Sequence, residues 1–501
     1  MPLIPNTFNT QSGPIPLSEL DNDILVSVIS CPSISALRLN TQSISSVFVQ
    51  GYRTFADGGQ GIFFVNTNDT TSADNGGTII VDAGGNRWYR GTSNGSGVNV
   101  QWFGAYGDNT HDDTAAINSA IALGSNLYFP NTGNPYLITV ASGLNPIGGV
   151  SIIFQPGAIV NHSGFGATFV YAPGGSNIAT RIDNIGIEST TAAYGVLFQG
   201  GTGLTYVDNP RIYPFTGGTH LKFSQTFQYI IINPYLRNCA SGQYLIDIDN
   251  STSGMNNAVN EVKIIGGNLI NDLGTNPSAL VNLRIGNNWR FHDTYFGSHG
   301  SGCVAVDIGN DNLQSSGPEF FTMENCHFEG TFTNVARTGG PNAVYQNGQP
   351  RDIRLSWSNV NGSIVNVYNL NQTNGFVIEG NVWPNLSGFN YTISSSCSNG
   401  LVVDTQFNSV FASIQGAAQT SVNIITSSTA WFAGPVQAQY LWTGGSGEES
   451  TTVAKISSGP GSPNGSLSGQ SGDMFQRKDG TIGTHLYICN GTTTWTAVSG
   501  V

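Results

Sequence analysis

The sequence predicts an all-β fold, a long parallel β-helix with a small β module at each end. Three observations predict it. From about 150 to 435 no helical periodicity is sustained, and short apolar runs are broken by glycine and asparagine, the pattern of strands and turns. A turn element recurs at Asn184, Asn209, Asn233, Gly266, Asp293, Asn325, Asn359, Gly380 and Thr405, at intervals of 21 to 34 residues. Around the turns sit three kinds of strand run: VKII (262–265) before a turn, NPYLR (233–237) after one, and YLIDID (244–249) closing a coil. Irregular periods near 25, with insertions confined to particular turns, fit coils stacked rung on rung.

The elements follow in order. Residues 1–25 are proline-rich and polar, and read either as a disordered terminus or as an anchoring peptide. Residues 26–98 hold VFVQGYRTFADGGQGIFFV and DNGGTIIVDAGGNRWYRG, alternating runs with glycine-rich turns, which predict a small antiparallel β domain. SNGSG (93–97) is a flexible join. The β-helix spans 99–440. Its start, FGAYGDNTHDDTAAINSAI, places Ala116, Ile117, Ala120 and Ile121 on one helical face, so a short helix over 114–122 covers the open first rung. Asp112 and Asp113 resemble a catalytic pair, but N-capping of that helix is the favoured reading. Residues 441–501 are a linker followed by GDMFQRKDGTIGTHLYICNGTTTWTAV, read as a hairpin with an Asp479–Gly480 turn and Trp495 as apolar anchor.

Composition narrows the partners. Charged residues are 9% of the chain, against about 25% in ordinary soluble domains. Asn, Ser, Thr and Gly are abundant, a surface suited to facing sugars. The formal net charge of −13 argues against a nucleic-acid partner. No run is apolar enough to insert in a membrane, and the first residues lack a secretory signal. Six scattered cysteines without a CxxC pair read as buried thiols. No metal constellation or cofactor motif stands out.

The segments quoted above resemble bacteriophage tailspikes, polysaccharide depolymerases built on a right-handed, pectate-lyase-like parallel β-helix. FGAYGDNTHDDTAAINSAI followed by LYFPNTGNPYLI is similar to that superfamily's opening motif, and TQSGPIPLSELDNDIL to peptides that plug phage tail proteins into the virion. The 36–91 runs resemble the small domain that precedes many tailspike helices, and the C-terminal run resembles a module ending many phage fibres. The resemblance implies a homotrimer, made in the host cytoplasm and carried on the virion tail. Its N-terminal peptide meets a tail or adaptor protein, and the helix binds and cuts a bacterial surface polysaccharide: capsule, exopolysaccharide or O-antigen.

Two outward ladders are candidate sites. On the third strand, with Leu221/Phe223, Ile246/Ile248, Leu283/Ile285 and Val306/Ile308 inward, the outward set is Lys222, Asp247, Asp249, Arg284 and Asp307. Asp249, Arg284 and Asp307 then fall on adjacent rungs. Two rungs of about 4.8 Å put Asp249 and Asp307 at the edge of the ~6.5–9.5 Å separation of an inverting glycosidase. Asp247, Asp249 and Asp307 are the catalytic candidates, Arg284 their cationic neighbour and a substrate-binding candidate, and turns 250–260 and 309–318 the walls. The second ladder is Glu188, Arg211, Tyr213, Tyr235, Arg237, Tyr295, His327 and Glu329. It reads as a sugar-binding groove, with Tyr213, Tyr235, Arg237, Tyr295 and His327 as binding residues. Glu329, and Glu324 with His292 one rung below, are secondary catalytic candidates. His299–Gly300 resembles the HG element of polygalacturonases, but the accompanying aspartate pair and RxK are absent. A solvated or ion-paired scaffold role is the competing reading for each carboxylate. The function reading is an endo-glycosidase, with a polysaccharide lyase or a non-catalytic receptor-binding spike as alternatives.

Overall fold

The computed structural model describes residues 29–92, most of 97–404, the strands between 412 and 433, and parts of 456–498. Segments 147–149, 172–179, 200–203, 225–226, 249–258, 273–276, 310–318, 340–349 and 381–388, and positions 285, 357 and 395–396, lie outside the described residues. The N-terminal module pairs Ser46–Val49, Gly61–Asn66, Arg87–Arg90 and Ile79–Val81 antiparallel, and Ser30–Cys31 adds a parallel edge. The alternation predicted the strands but not the short helix Ile34–Arg38, which buries Ile34 and Leu37 on a core of Val47, Val49, Phe63, Ile80 and Trp88.

From Val98 onward the chain winds into the predicted coils. The first strands of the coils form one 13-stranded parallel sheet, in which Ile230 pairs Lys263, Lys263 pairs Arg290, and Arg290 pairs Thr322. A second face stacks Arg211, Tyr235, Asn268, Tyr295, His327 and Asn359 in register. A third stacks Lys222, Asp247, Asn282, Asp307 and Arg337. In the middle rungs the corner between these two faces straightens, so that Tyr295–Ile308 and His327–Thr338 each run through both. Alternate residues face inward. Ile212, Leu236, Leu269, Phe296 and Phe328 line one side of a continuous core, and Leu221, Ile246, Val281 and Val306 another. Stacked rings such as Phe296 on Phe328, centroids 4.7 Å apart, add about 0.5–1.5 kcal/mol beyond their burial. Five of the cysteines are buried free thiols, and Cys31 is half-buried.

The turn between the first and second faces uses left-handed backbone. Asn184, Asn209, Asn233, Gly266, Asp293, Asn325 and Gly380 have φ between 49° and 67°. Asparagine tolerates this region, and its amide also bonds along the stack: Asn209 Nδ2 donates to Asn184 Oδ1 at 2.8 Å, and Asn325 Nδ2 donates to Asp293. Asn359 is not a turn residue; it sits in the following strand opposite His327. Thr405 lies outside the described residues.

Helix Thr114–Ile121 covers the first rung, burying Ile117, Ala120 and Ile121. Its two aspartates act differently. Asp113 at the N-cap position makes no side-chain cap; its buried carboxylate instead accepts from the Tyr106 and Gly107 amides, at 2.5 and 3.0 Å. Asp112 accepts from the Thr114 amide at 3.0 Å and from the Thr139 hydroxyl at 2.6 Å. Asp112 thus meets the first helical N–H, as a cap would, while Asp113 ties down the loop before it.

The C-terminal module is a four-stranded sheet rather than a lone hairpin: Ile456–Gly459, Met474–Arg477, Leu486–Cys489 and Trp495–Ala497. Gln476 pairs Leu486; Gly480 of the predicted Asp479–Gly480 turn lies outside the described residues. Trp495 is the anchor predicted, buried on Phe475 with its indole N–H on the Leu467 carbonyl at 2.8 Å.

Candidate functional site

The third-face ladder is outward, as predicted, but it is neither open nor in the predicted register. Val281 and Leu283, not Leu283 and Ile285, align with Ile246/Ile248 and Val306/Ile308. The slip is two residues, so the inward and outward sets survive while the rung neighbours change. Asn282, not Arg284, stands between Asp247 and Asp307. Asp247 is 4% exposed and Asp307 3%. Asp247 pairs with Lys222, accepts from Asn282 Nδ2 at 2.7 Å, and has Arg284 Nε at 4.0 Å. Asp307 receives a two-pronged Arg337 guanidinium, Nε at 3.1 Å and Nη2 at 2.5 Å. A fork of this kind is the strong geometry for a carboxylate. Both aspartates are satisfied within the scaffold and shielded from solvent. Asp249 and most of the two predicted wall turns, 251–258 and 310–318, lie outside the described residues.

The second face is accessible, and its side chains form one connected array. Tyr213 and Tyr235 meet edge-on at 6.4 Å. Arg211 lies over the Tyr235 ring at 5.8 Å and Arg237 over the Tyr213 ring at 5.1 Å. Arg237 also donates to the Tyr235 hydroxyl at 3.0 Å and pairs with Asp272. Asp272 in turn holds His299 Nδ1 at 2.6 Å, one rung up. Next along, Tyr295 stacks on His327 at 5.4 Å and donates to Glu329 Oε2 at 2.9 Å, with His327 Nε2 3.7 Å from the same oxygen. The Tyr295 hydroxyl is pushed up to about 12, by burial first, then by its bond to Glu329 and the charges of Glu329 and Asp272. It is a donor to Glu329, while Asp272 is engaged by Arg237 and His299.

Five of the six predicted binding residues therefore sit on this face: Tyr213, Tyr235, Arg237, Tyr295 and His327; the sixth, Arg284, is on the third face beside Asp247. Two partners were not predicted. Asp272 follows the short strand Asn268–Asn271, and only the register shows that it lies under His299. His299 belongs here by geometry, although the motif around it is incomplete. The signal in the sequence was a lone aspartate and histidine 27 residues apart, one coil length. Glu188 sits at the lower end of the face, half-buried, and burial pushes its carboxyl up. Glu324 pairs in register with His292, as predicted, but His292 Nδ1 is taken by Asp293 Oδ2 at 2.8 Å. Among the described residues no group of three His, Cys, Asp or Glu side chains converges to hold a metal.

Residues 30–94 match the family model of the phage tail protein small four-stranded β-sheet domain. Its four strands correspond to the antiparallel set of the N-terminal module. The chain superposes on the gp42 tailspike of Acinetobacter phage vb_AbaP_AS12 with a TM-score of 0.52, at 13% identity, covering 90% of this chain and 82% of that one. The chain shares the parallel β-helix fold of a phage tailspike. Further similar structures are full-length tailspike protein 2 from Escherichia coli O157:H7 bacteriophage CAB120 and the gp49 tailspike of Acinetobacter baumannii bacteriophage Fri1, a capsular polysaccharide depolymerase. The first has a TM-score of 0.46 and 14% identity, over 81% of this chain and 56% of that one. The second has a TM-score of 0.43 and 10% identity, over 81% and 70%. The chain thus spans little more than half the length of tailspike protein 2. No curated protein matches the sequence.

Proposed function

We propose that this protein is a virion-tail spike that binds a bacterial surface polysaccharide and cleaves it as an endo-glycosidase. The observation that carries the reading is the second face, an exposed strip of aromatic rings with Asp272 and Glu329 on either side of Tyr295. Flat rings take sugar faces, and two carboxylates on the same face, Glu329 bonded by Tyr295 and Asp272 by Arg237 and His299, supply acid and base. The domain match at 30–94 and the tailspike-like fold support a place on the tail. In this reading residues 1–25 meet the tail or an adaptor protein, 26–98 form the connecting domain, 99–440 carry the glycan, and 441–501 close the spike, which assembles as a homotrimer. Asp247 and Asp307 are scaffold. Asp249 stays a candidate for the same substitution test.

Three of the side chains that elimination could call on are poorly suited to it. A lyase needs a side chain that gives up its proton to attack a uronate C–H. The Tyr295 hydroxyl is pushed the wrong way for that, Arg237 is paired with Asp272, and Lys222 is buried against Asp247. The test is to incubate the full-length protein with panels of capsule and lipopolysaccharide and weigh the fragments. Water added to each new end supports the hydrolase, and a 4,5-unsaturated end supports a lyase. Polymer bound but left intact makes the protein an adhesin.

A further inference from the structure

The cations of this chain are few, and most of those among the described residues are spoken for. Against a formal net charge of −13, Arg38, Arg181, Arg237, Arg337, Arg351 and Arg354 each sit on a carboxylate. Arg53, Arg87 and Arg90 are tied to backbone carbonyls. Arg211 differs. It is exposed, on the aromatic face, and its recorded contact among the described residues is the Tyr235 ring at 5.8 Å. The neighbouring guanidinium, Arg237, has its charge met by Asp272. The register sets Gly186, not an acid, beneath Arg211, and Glu188 lies further along that strand, half-buried. The result is an unmatched guanidinium beside two tyrosine rings, on the accessible face of an acidic protein.

We infer that the polysaccharide taken by this face is acidic, and that Arg211 binds its sugar carboxylate while Tyr213 and Tyr235 receive the rings on either side. This rests on the glycan-binding reading above and deepens it. A planar guanidinium matches a carboxylate with two parallel N–H donors. A neutral glycan would leave that charge with water alone and gain nothing from it. In an otherwise negative field, one correctly placed cation also selects for register, because an acidic polymer shifted by a residue meets repulsion instead.

The experiment uses bacterial capsular polysaccharides containing glucuronic acid, each paired with its carboxyl-reduced derivative, and the intact protein with Arg211→Gln and Arg211→Lys variants. Binding is measured by surface plasmon resonance, and folding by the melting curve, which an exposed side chain should leave unchanged. Loss of one charged hydrogen-bonded contact predicts about ten- to hundredfold weaker binding of the acidic form by Arg211→Gln, with part of the affinity kept by Arg211→Lys. Carboxyl reduction should cost wild type a similar factor and cost Arg211→Gln little. Equal wild-type affinity for native and reduced polymer, or an Arg211→Gln variant that binds the acid form like wild type, overturns the acidic assignment and leaves glycan binding standing. Failure of wild type to bind any polysaccharide, neutral or acidic, overturns the glycan reading and this inference with it.

Discussion

The second and third faces of the helix are built from the same pattern, alternating strands with polar residues outward, yet they hold their charges in opposite ways. On the third face Lys222, Asp247, Asp307 and Arg337 saturate one another, and the aspartates are almost fully covered. On the second, Tyr235, Tyr295, His299, His327 and Glu329 remain in reach of solvent. Period-two alternation says which side chains leave the core; it does not say what then covers them. A ladder of alternating charge one rung apart is self-complementary and closes on itself. A ladder of rings, histidines and acids leaves surface for something else to use.

The largest expected effect sharpens that contrast. Glu329→Gln and Asp272→Asn keep shape but remove proton transfer, so one or both should lose roughly 10²–10⁴-fold in cleavage rate while still binding glycan and melting like wild type. Asp247→Asn and Asp307→Asn should cleave near the wild-type rate once folded. If the third-face variants are dead with unchanged melting and the second-face pair is active, the faces have been assigned the wrong way round.

Removing one partner of a buried pair is the converse experiment. Asp247→Ala leaves Lys222, 7% exposed at its side chain, without its counter-charge, and should cost about 3–5 kcal/mol. The double change Lys222→Met with Asp247→Leu should recover most of it. Urea unfolding of the three variants measures both. A single variant as stable as wild type would mean that the ladder is solvated and only looks closed.

Much of this architecture was legible. The strand runs, the left-handed turn positions from Asn184 to Asn325, the helix over the first rung and the inward residues all follow from local chemistry that repeats along the chain. What the sequence could not carry was rung alignment. Between Ile248 and Leu283 the coil contains a long insertion, and its length hides a two-residue slip that preserves parity, so no violation of hydrophobic pattern marks it. That slip exchanged Arg284 for Asn282 between the aspartates. For the same reason Asp272 and His299 were separate residues until the register stacked them. Coverage of Asp247 was beyond reach too, because it depends on neighbours from three rungs.

The buried histidines make the stability depend on pH. His220, on the third strand, is fully buried; its Nε2 donates to the Phe215 and Asn238 carbonyls at 3.3 and 3.1 Å, and burial depresses it to about 4. The unfolded chain takes its proton near pH 6.5 and the folded chain only near 4. Above about pH 6.5 both states are neutral, so nothing is lost. As pH falls from about 6.5 toward 4 the unfolded state binds more protons, and stability drops by up to about 3 kcal/mol. His162, also depressed by burial, adds in the same direction. Asp113 and Glu188, pushed up by burial, act oppositely just above the ordinary carboxylate range. Stability measured at pH 7.5, 6 and 5 should therefore fall in steps, and His220→Gln should flatten the slope. A flat wild-type profile would place His220 in contact with water.

The smallest effect lies at the corner where the first face turns into the second. Gly266 has φ +67°, and a Cβ there would come 2.6 Å from Asn233 Oδ1 on the rung below. Asparagine is accepted at the neighbouring turns because its amide joins the stack, as Asn209 does on Asn184. At Gly266 the site beneath is already filled by such an amide, so a side chain must displace it. Gly266→Ala should cost about 1–2 kcal/mol from the left-handed backbone, plus whatever the Asn233 amide loses in moving. Asn209→Ala should cost a similar amount, by strain and one lost hydrogen bond. Because this corner fixes the direction in which Tyr235, Asn268 and Tyr295 leave the coil, Gly266→Ala should also weaken glycan binding slightly, whereas Asn209→Ala, two turns down, should do so less. Equal stability losses with unchanged binding in both would show that the second face tolerates a shifted corner, and that its array is held by the Tyr295, Glu329 and Asp272 contacts themselves.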